Sequence, residues 1–264
     1  MATQKITIEP PARNIDGVKP EIAAKIALML QDGRRYFGSS GASLTHQVFN
    51  PEWRGKEGIK PELAKIGLEA ERSTTKLIRK WIADKPNAVL IDSAHVRGWG
   101  KEEVVDEELG LIDGGDTDHI LVIGSEVILI DTKRWKSKRN YTVSDEGKVL
   151  RTGKPFPGGN VHMRQAIHLW LDYLHEDASL TGIVMINAEE TVVFRNRNWY
   201  TQPYRLVELD RFEELLNEKW DKYIDDYDKS YINSTLIAQI AVSAVRPYDE
   251  FKRVMSEAAL KSFK

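Results

Sequence analysis

The sequence contains no cysteine. Disulfides, cysteine-ligated zinc, iron-sulfur clusters and thiol nucleophiles are therefore excluded, and any metal must be held by oxygen or imidazole ligands. Charge of one sign is also lacking, since 38 Lys and Arg against 40 Asp and Glu leave a formal net charge of -2. That balance names no partner, although it is compatible with a local basic site. No apolar run approaches a membrane-spanning length, and the opening stretch MATQKITIEPPARNIDGVKP mixes charge and proline where a secretory signal needs apolar residues. The expectation is a cytoplasmic protein without membrane contact.

What is present suffices for a sizeable core: 264 residues, 41% of them hydrophobic, fit one α/β domain with appendages. Residues 1–20 read as an arm with one short strand at Lys5 to Glu9, and EIAAKIALMLQ (21–31) as a helix. The glycine- and serine-rich stretch 33–43 and its continuation to Lys60 read as loop. A long helix is predicted from Pro61 to about Asp84, with Leu63, Ile66, Ala70, Leu77, Ile78 and Trp81 as its apolar stripe. A strand follows at 88–91, then an acidic, glycine-containing loop through 95–115. The runs 119–123 and 127–130 flank Gly124-Ser125, the chemistry of a two-residue hairpin turn. After a polar stretch to Gly159 come a helix in VHMRQAIHLWLDYLHE, strands in GIVMIN and TVVFR, a short strand at 205–208, and an acidic helix beginning at Asp210 with a good N-cap. Two further helices close the chain. The implied division is an arm and helix over 1–60, a core over 61–209 and a helical extension over 210–264.

If Gly124 and Ser125 form the turn, Ile123 pairs with Glu126, and counting outward sets Asp118 opposite Asp131. Alternation along the strand puts Lys133 on the same face as Asp131, so the three side chains converge. Opposed like charges destabilise a sheet, and a divalent cation compensates them. Oxygen ligands suit Mg²⁺ or Mn²⁺, which carry water able to attack a phosphodiester, and Lys133 is placed to orient that water. A strand-end salt-bridge cluster is the alternative for the same three residues. Asp116 is assigned to a turn beside Gly114-Gly115, and His119, adjacent to Asp118, should point away from the carboxylates and bond to backbone.

Three motifs carry a resemblance to a known family. The stretch Gly67-Leu68-Glu69-Ala70-Glu71 resembles its G-x-x-G-E helix motif, Thr117-Asp118-His119 its aspartate-histidine strand start, and Asp131-Thr132-Lys133 its (D/E)-x-K. The family is the nuclease-related domain, a branch of the P-D-(D/E)-x-K nuclease superfamily, and the helix-strand-strand-strand-helix-strand order over 61–187 is similar to that superfamily's core. Ala70 replaces a usual glycine, Asp131 a frequent glutamate, and Leu169 a tyrosine found in some related nucleases.

The resemblance implies a restriction-endonuclease-like α/β fold, αβββαβ, with a central mixed sheet flanked by helices. It implies a nuclease, favouring DNA over RNA, with catalytic residues Glu71, Asp118, Asp131, Lys133 and Gln165. Glu71, Asp118 and Asp131 become the ligands of Mg²⁺ or Mn²⁺. Arg134, Lys136, Lys138, Arg139 and Arg164 are the candidate phosphate contacts, with a solvated basic loop as the alternative for the run after Lys133. Trp135 and Tyr141 are assigned to the core rather than to base stacking. The other function classes open to the sequence are a non-cleaving nucleic-acid-binding or protein-interaction module, and a structural partner that forms a homo-oligomer through its terminal helices.

Overall fold

In the computed structural model, which describes residues 6–12, 15, 17–42, 44–45, 61–96, 116–135, 140–144, 148–156, 163–174, 178–187, 193–194 and 203–244, the apolar runs build one six-stranded sheet. Its strands in chain order are β2 (Tyr36–Gly38), β3 (Ala88–His95), β4 (Asp116–Ile123), β5 (Glu126–Lys133), β8 (Ser179–Ile186) and β10 (Tyr204–Glu208). The spatial order is β10-β8-β5-β4-β3-β2. The β3/β4 and β4/β5 pairs are antiparallel, while β2/β3, β5/β8 and β8/β10 are parallel, so the sheet is mixed.

Helices cover both faces. They are α1 (Pro20–Gln31), α2 (Pro61–Ile82), α3 (Met163–Tyr173), α4 (Leu209–Lys222) and α5 (Ser234–Ala241). One apolar cluster joins Val89, Ile91, Ile120, Val122, Leu129 and Val184 to Leu30 of α1, Trp170 of α3 and Ile237 of α5. The other joins Leu90, Leu121, Ile128, Ile130 and Met185 to Ile78 and Trp81 of α2 and Phe212 of α4. Strands buried on both faces read as continuous apolar runs, which is why 119–123 and 127–130 lack a polar/apolar alternation.

Several elements differ from the sequence expectations. The stretch assigned to loop contributes β2, three residues added in parallel at the edge of the sheet. The polar stretch before Gly159 contains the hairpin β6 (Asn140–Val143) and β7 (Val149–Arg151), which β9 (Val193–Phe194) joins in a small second sheet. Of the arm's predicted strand, Thr7–Ile8 forms β1, paired with β11 (Tyr231–Ile232), and Lys5 lies outside the described residues. Leu63 and Ile66, predicted to face inward, are 58% and 43% exposed; Ala64, Glu71, Thr74 and Thr75 take the inner face instead. Glu208 rather than Asp210 precedes α4, and it makes no side-chain cap, so Asp210 lies in the first turn where its charge suits the helix dipole. Of the two closing helices predicted, α5 is described, and residues 245–264 lie outside the described residues. Phe212 and Leu216 of α4 and most of α5 are buried within the chain, so these helices spend their apolar faces internally.

The hairpin turn is as the sequence predicts. Ile123 pairs with Glu126, and Gly124 takes a φ of 59° while Ser125 stays out of the left-handed region, as a type II′ turn requires. Ser125 N–H donates to Asp228 Oδ1 at 3.0 Å, locking the turn onto the segment before β11. A Cβ on Gly124 would come within 2.7 Å of the Asp228 Cα. Gly124→Ala is therefore expected to cost about 2–3 kcal/mol, from backbone strain and a clash with main chain. Urea unfolding measures it, and a cost below about 1 kcal/mol would mean that the turn is not held as described.

Candidate active site

Beyond the last β4/β5 ladder pair, His119 with Ile130, the two strands part. The fork has a backbone cause on the neighbouring strand. Ser93 of β3 takes a left-handed φ of 51°, an unusual conformation for a residue with a side chain. Before Ser93, Asp92 faces α2; after it, Ala94 packs in the opposite cluster instead of continuing the alternation. Its partner on β4 follows, because the Thr117 hydroxyl accepts from Trp170 Nε1 of α3 at 2.9 Å, while His119 still faces α2.

Asp118 stands at this reversal. Its Oδ2 accepts the Thr132 N–H at 2.6 Å, where continued register would pair Thr132 with Thr117. Simple alternation predicts Asp118 and Asp131 opposed on one face. The structure instead turns the Asp118 carboxylate toward the backbone of β5.

Lys133 and Asp131, two apart on β5, form an ion pair of 2.7 Å between Nζ and Oδ1, with side chains 27% and 16% exposed. Burial opposes the Lys133 ammonium, but the charges of Asp131 and Asp118, the hydrogen bond to Asp131 and the charge of Glu71 outweigh it and hold its pKa above the ordinary lysine value. Glu71, on α2, is 5% exposed. Lys133 thus lies in the combined field of all three carboxylates named by the sequence. The second oxygen of Asp131, Oδ2, is buried without a hydrogen-bond partner among the described residues.

On the α3 side, Gln165 is half-buried and Arg164 exposed. Arg164 also acts on Tyr204 at the start of β10, a residue that sequence reasoning missed. Burial pushes the Tyr204 hydroxyl above its ordinary value, with the charge of Arg164 lowering it and that of Asp131 raising it. Its signal in the sequence was slight, a lone aromatic just ahead of a predicted strand. Arg134 is exposed and donates from Nη1 to Asn187 Oδ1 at 2.7 Å. Lys136, Lys138 and Arg139 lie outside the described residues. Trp135 and Tyr141 are 6% and 0% exposed and stack at 4.9 Å, so they belong to the core as predicted. Asp116, assigned to a turn, begins β4.

No family model, curated protein or solved structure matches this chain. Function is therefore read from the site alone.

Behind the carboxylates, on the α2 face, lies a buried polar network. His119 points away from them, as predicted, but its partners are side chains and not backbone. Its Nδ1 donates to Asp92 Oδ1 at 2.7 Å, and its Nε2 meets Thr132 Oγ1 at 3.2 Å. Asp92 Oδ2 accepts from Tyr36 and Thr75 at 2.9 and 2.8 Å, and the Thr132 hydroxyl bonds to that of Thr74 at 3.0 Å. Burial, then the charge of Asp92, pushes the Tyr36 hydroxyl up to about 12, so it stays a donor. Thr132 sits between Asp131 and Lys133 in sequence, and Thr74 lies three residues from Glu71. The network therefore ties the strand bearing Asp131 and Lys133 to the helix bearing Glu71.

The donor set fits a hard divalent cation in charge and type: three carboxylates, one with an unpartnered buried oxygen. Among the described residues, however, no three carboxylate or imidazole groups stand close enough together to ligate one ion. The Lys133 ammonium and the Thr132 N–H hold one oxygen each of Asp131 and Asp118.

Proposed function

We propose that this chain is a divalent-metal-dependent nuclease with a restriction-endonuclease-like core, acting on DNA. The observation that carries the proposal is the 2.7 Å Lys133–Asp131 ion pair, set in the field of Asp118 and Glu71, with Asp131 Oδ2 buried and unpartnered among the described residues. Mg²⁺ or Mn²⁺ held by these carboxylates would supply Lewis acidity and an activated water. Lys133, held above its ordinary pKa, is no base at neutral pH. It acts as a donor, orienting the attacking water and stabilising the negative charge that develops on the phosphoryl oxygens as the water oxygen bonds to phosphorus and the ester oxygen leaves. Tyr204, kept protonated, is a second donor at the edge of the site, with Gln165 and Arg164 on the adjoining helix.

A second reading is a binding module that keeps the carboxylates and does not cut. The lack of three gathered ligating groups among the described residues favours it. Cleavage of labelled single- and double-stranded DNA and RNA with Mg²⁺, Mn²⁺ or EDTA separates the two. The expected result is metal-dependent cleavage that Asp118→Ala lowers by about 100-fold, through weakened metal binding. Cleavage that persists in EDTA, or that Asp118→Ala leaves intact, overturns the nuclease. Absence of cleavage together with Asp118-dependent Mn²⁺ binding establishes the second reading.

A further inference from the structure

The outward face of α2 carries Lys65, Arg72, Lys76, Arg79 and Lys80, all exposed. At about 100° per residue these five fall within an arc of roughly 100°, a straight stripe of about 22 Å. Glu69 is the only acid on that face among the described side chains. No carboxylate among the described residues lies within 4.0 Å of any of the five. Arg79 rests on the Tyr36 ring at 3.3 Å from its centroid.

The cations of α4 are arranged differently. On α4, Arg211 pairs with Glu214, Lys219 with Glu126 and Lys222 with Glu218. Like charges four apart on a helix destabilise it, and Arg72/Lys76 and Lys76/Lys80 are two such pairs. In a chain with more acid than base, a basic stripe that no described carboxylate pairs with suits an anionic partner with a regular charge spacing.

We infer that this face of α2 is a docking surface for the phosphate backbone of duplex DNA. The inference rests on nucleic acid being what the proposed site acts on. Arg72 follows Glu71 directly in sequence, so the stripe lies on the helix that carries one of the site's carboxylates. The stripe spans about six base-pair steps of duplex axis. Its exposed face holds no aromatic side chain on which unpaired bases could stack, which favours duplex over single strands. Contacts of this kind carry no base preference.

The test is duplex binding by the full chain in EDTA, followed by fluorescence anisotropy across a NaCl series. In the quadruple variant Lys65→Gln, Arg72→Gln, Lys76→Gln and Lys80→Gln, glutamine preserves helix propensity, and circular dichroism checks the fold. Loss of four phosphate contacts lowers the slope of log K against log salt by about 3.6, and binding at low salt weakens more than tenfold. The pair Arg72→Gln and Lys76→Gln gives about half that change in slope. Arg211→Glu with Lys222→Glu on α4 leaves the slope unchanged. An unaltered slope in the quadruple variant overturns the docking surface, as does equal binding of single-stranded DNA or polyglutamate. If duplex binding shows the α2-dependent slope but no metal supports cleavage, the nuclease fails and the docking surface stands. If cleavage proceeds with an unaltered KM in the quadruple variant, the docking surface fails and the nuclease stands.

Discussion

Lys133→Met is expected to lower metal-dependent cleavage by about 10²–10³-fold, with the loss in kcat and not in KM, because the lysine acts on charge that develops only in the transition state. The same substitution separates catalysis from stability. Removing the ammonium leaves Asp131, Asp118 and Glu71 without the cation whose field they share. Breaking a fully buried pair costs about 3–5 kcal/mol, and the 27% and 16% exposure of the Lys133–Asp131 pair reduces that to roughly 1–2 kcal/mol.

A divalent cation then has more to offer the variant than the unmodified chain, since it no longer competes with an ammonium for Asp131 Oδ1. Mn²⁺ is expected to raise the Tm of Lys133→Met by more than it raises that of the parent. A variant that cuts normally sinks the catalytic role, and one whose Tm is indifferent to Mn²⁺ sinks the shared carboxylate site. The pH dependence has a definite sign. A lysine pKa raised by folding contributes stability that is complete below the ordinary lysine value and is lost as pH rises through the higher folded one. The stability gap between parent and variant should therefore stay constant from about pH 6 to 9 and close only in strongly alkaline solution.

What the sequence made legible was local. The two-residue turn fixes the hairpin register, and the register brings Asp118 within reach of β5. Periodicity finds α2 because Ile78 and Trp81 repeat at helical spacing, but it misassigns Leu63 and Ile66, since a buried threonine and glutamate stripe does not look apolar. Ser93 is invisible for a different reason. A left-handed residue is anticipated from glycine or asparagine, and a serine in a buried run gives no such signal. Its effect is to reverse side-chain alternation where the site forms, so strand parity alone predicts the convergence and mistakes its geometry. Tyr36, Asp92 and Tyr204 come from segments far apart in the chain, and only the sheet order makes them neighbours of the motif residues.

Asp92 carries the other large expectation. It is wholly buried and its carboxylate accepts from His119, Tyr36 and Thr75, so Asp92→Ala strands three donors and is expected to cost about 3–5 kcal/mol. His119→Ala removes one donor to Asp92 and the contact to Thr132 Oγ1 while opening a cavity, for about 2–4 kcal/mol. The two losses overlap, because each single change leaves behind the group whose desolvation the other satisfied. The double variant should therefore be more stable than the sum of the singles by at least about 1 kcal/mol in urea unfolding. Strict additivity would mean that the 2.7 Å contact carries no coupling and that the two residues are retained for packing alone. Coupling has a consequence for the site, because the chain from Asp92 through His119 to Thr132 and Thr74 clamps β5 against α2 directly behind Asp131, Lys133 and Glu71. Any loosening of that clamp moves one side of the carboxylate cluster relative to the other.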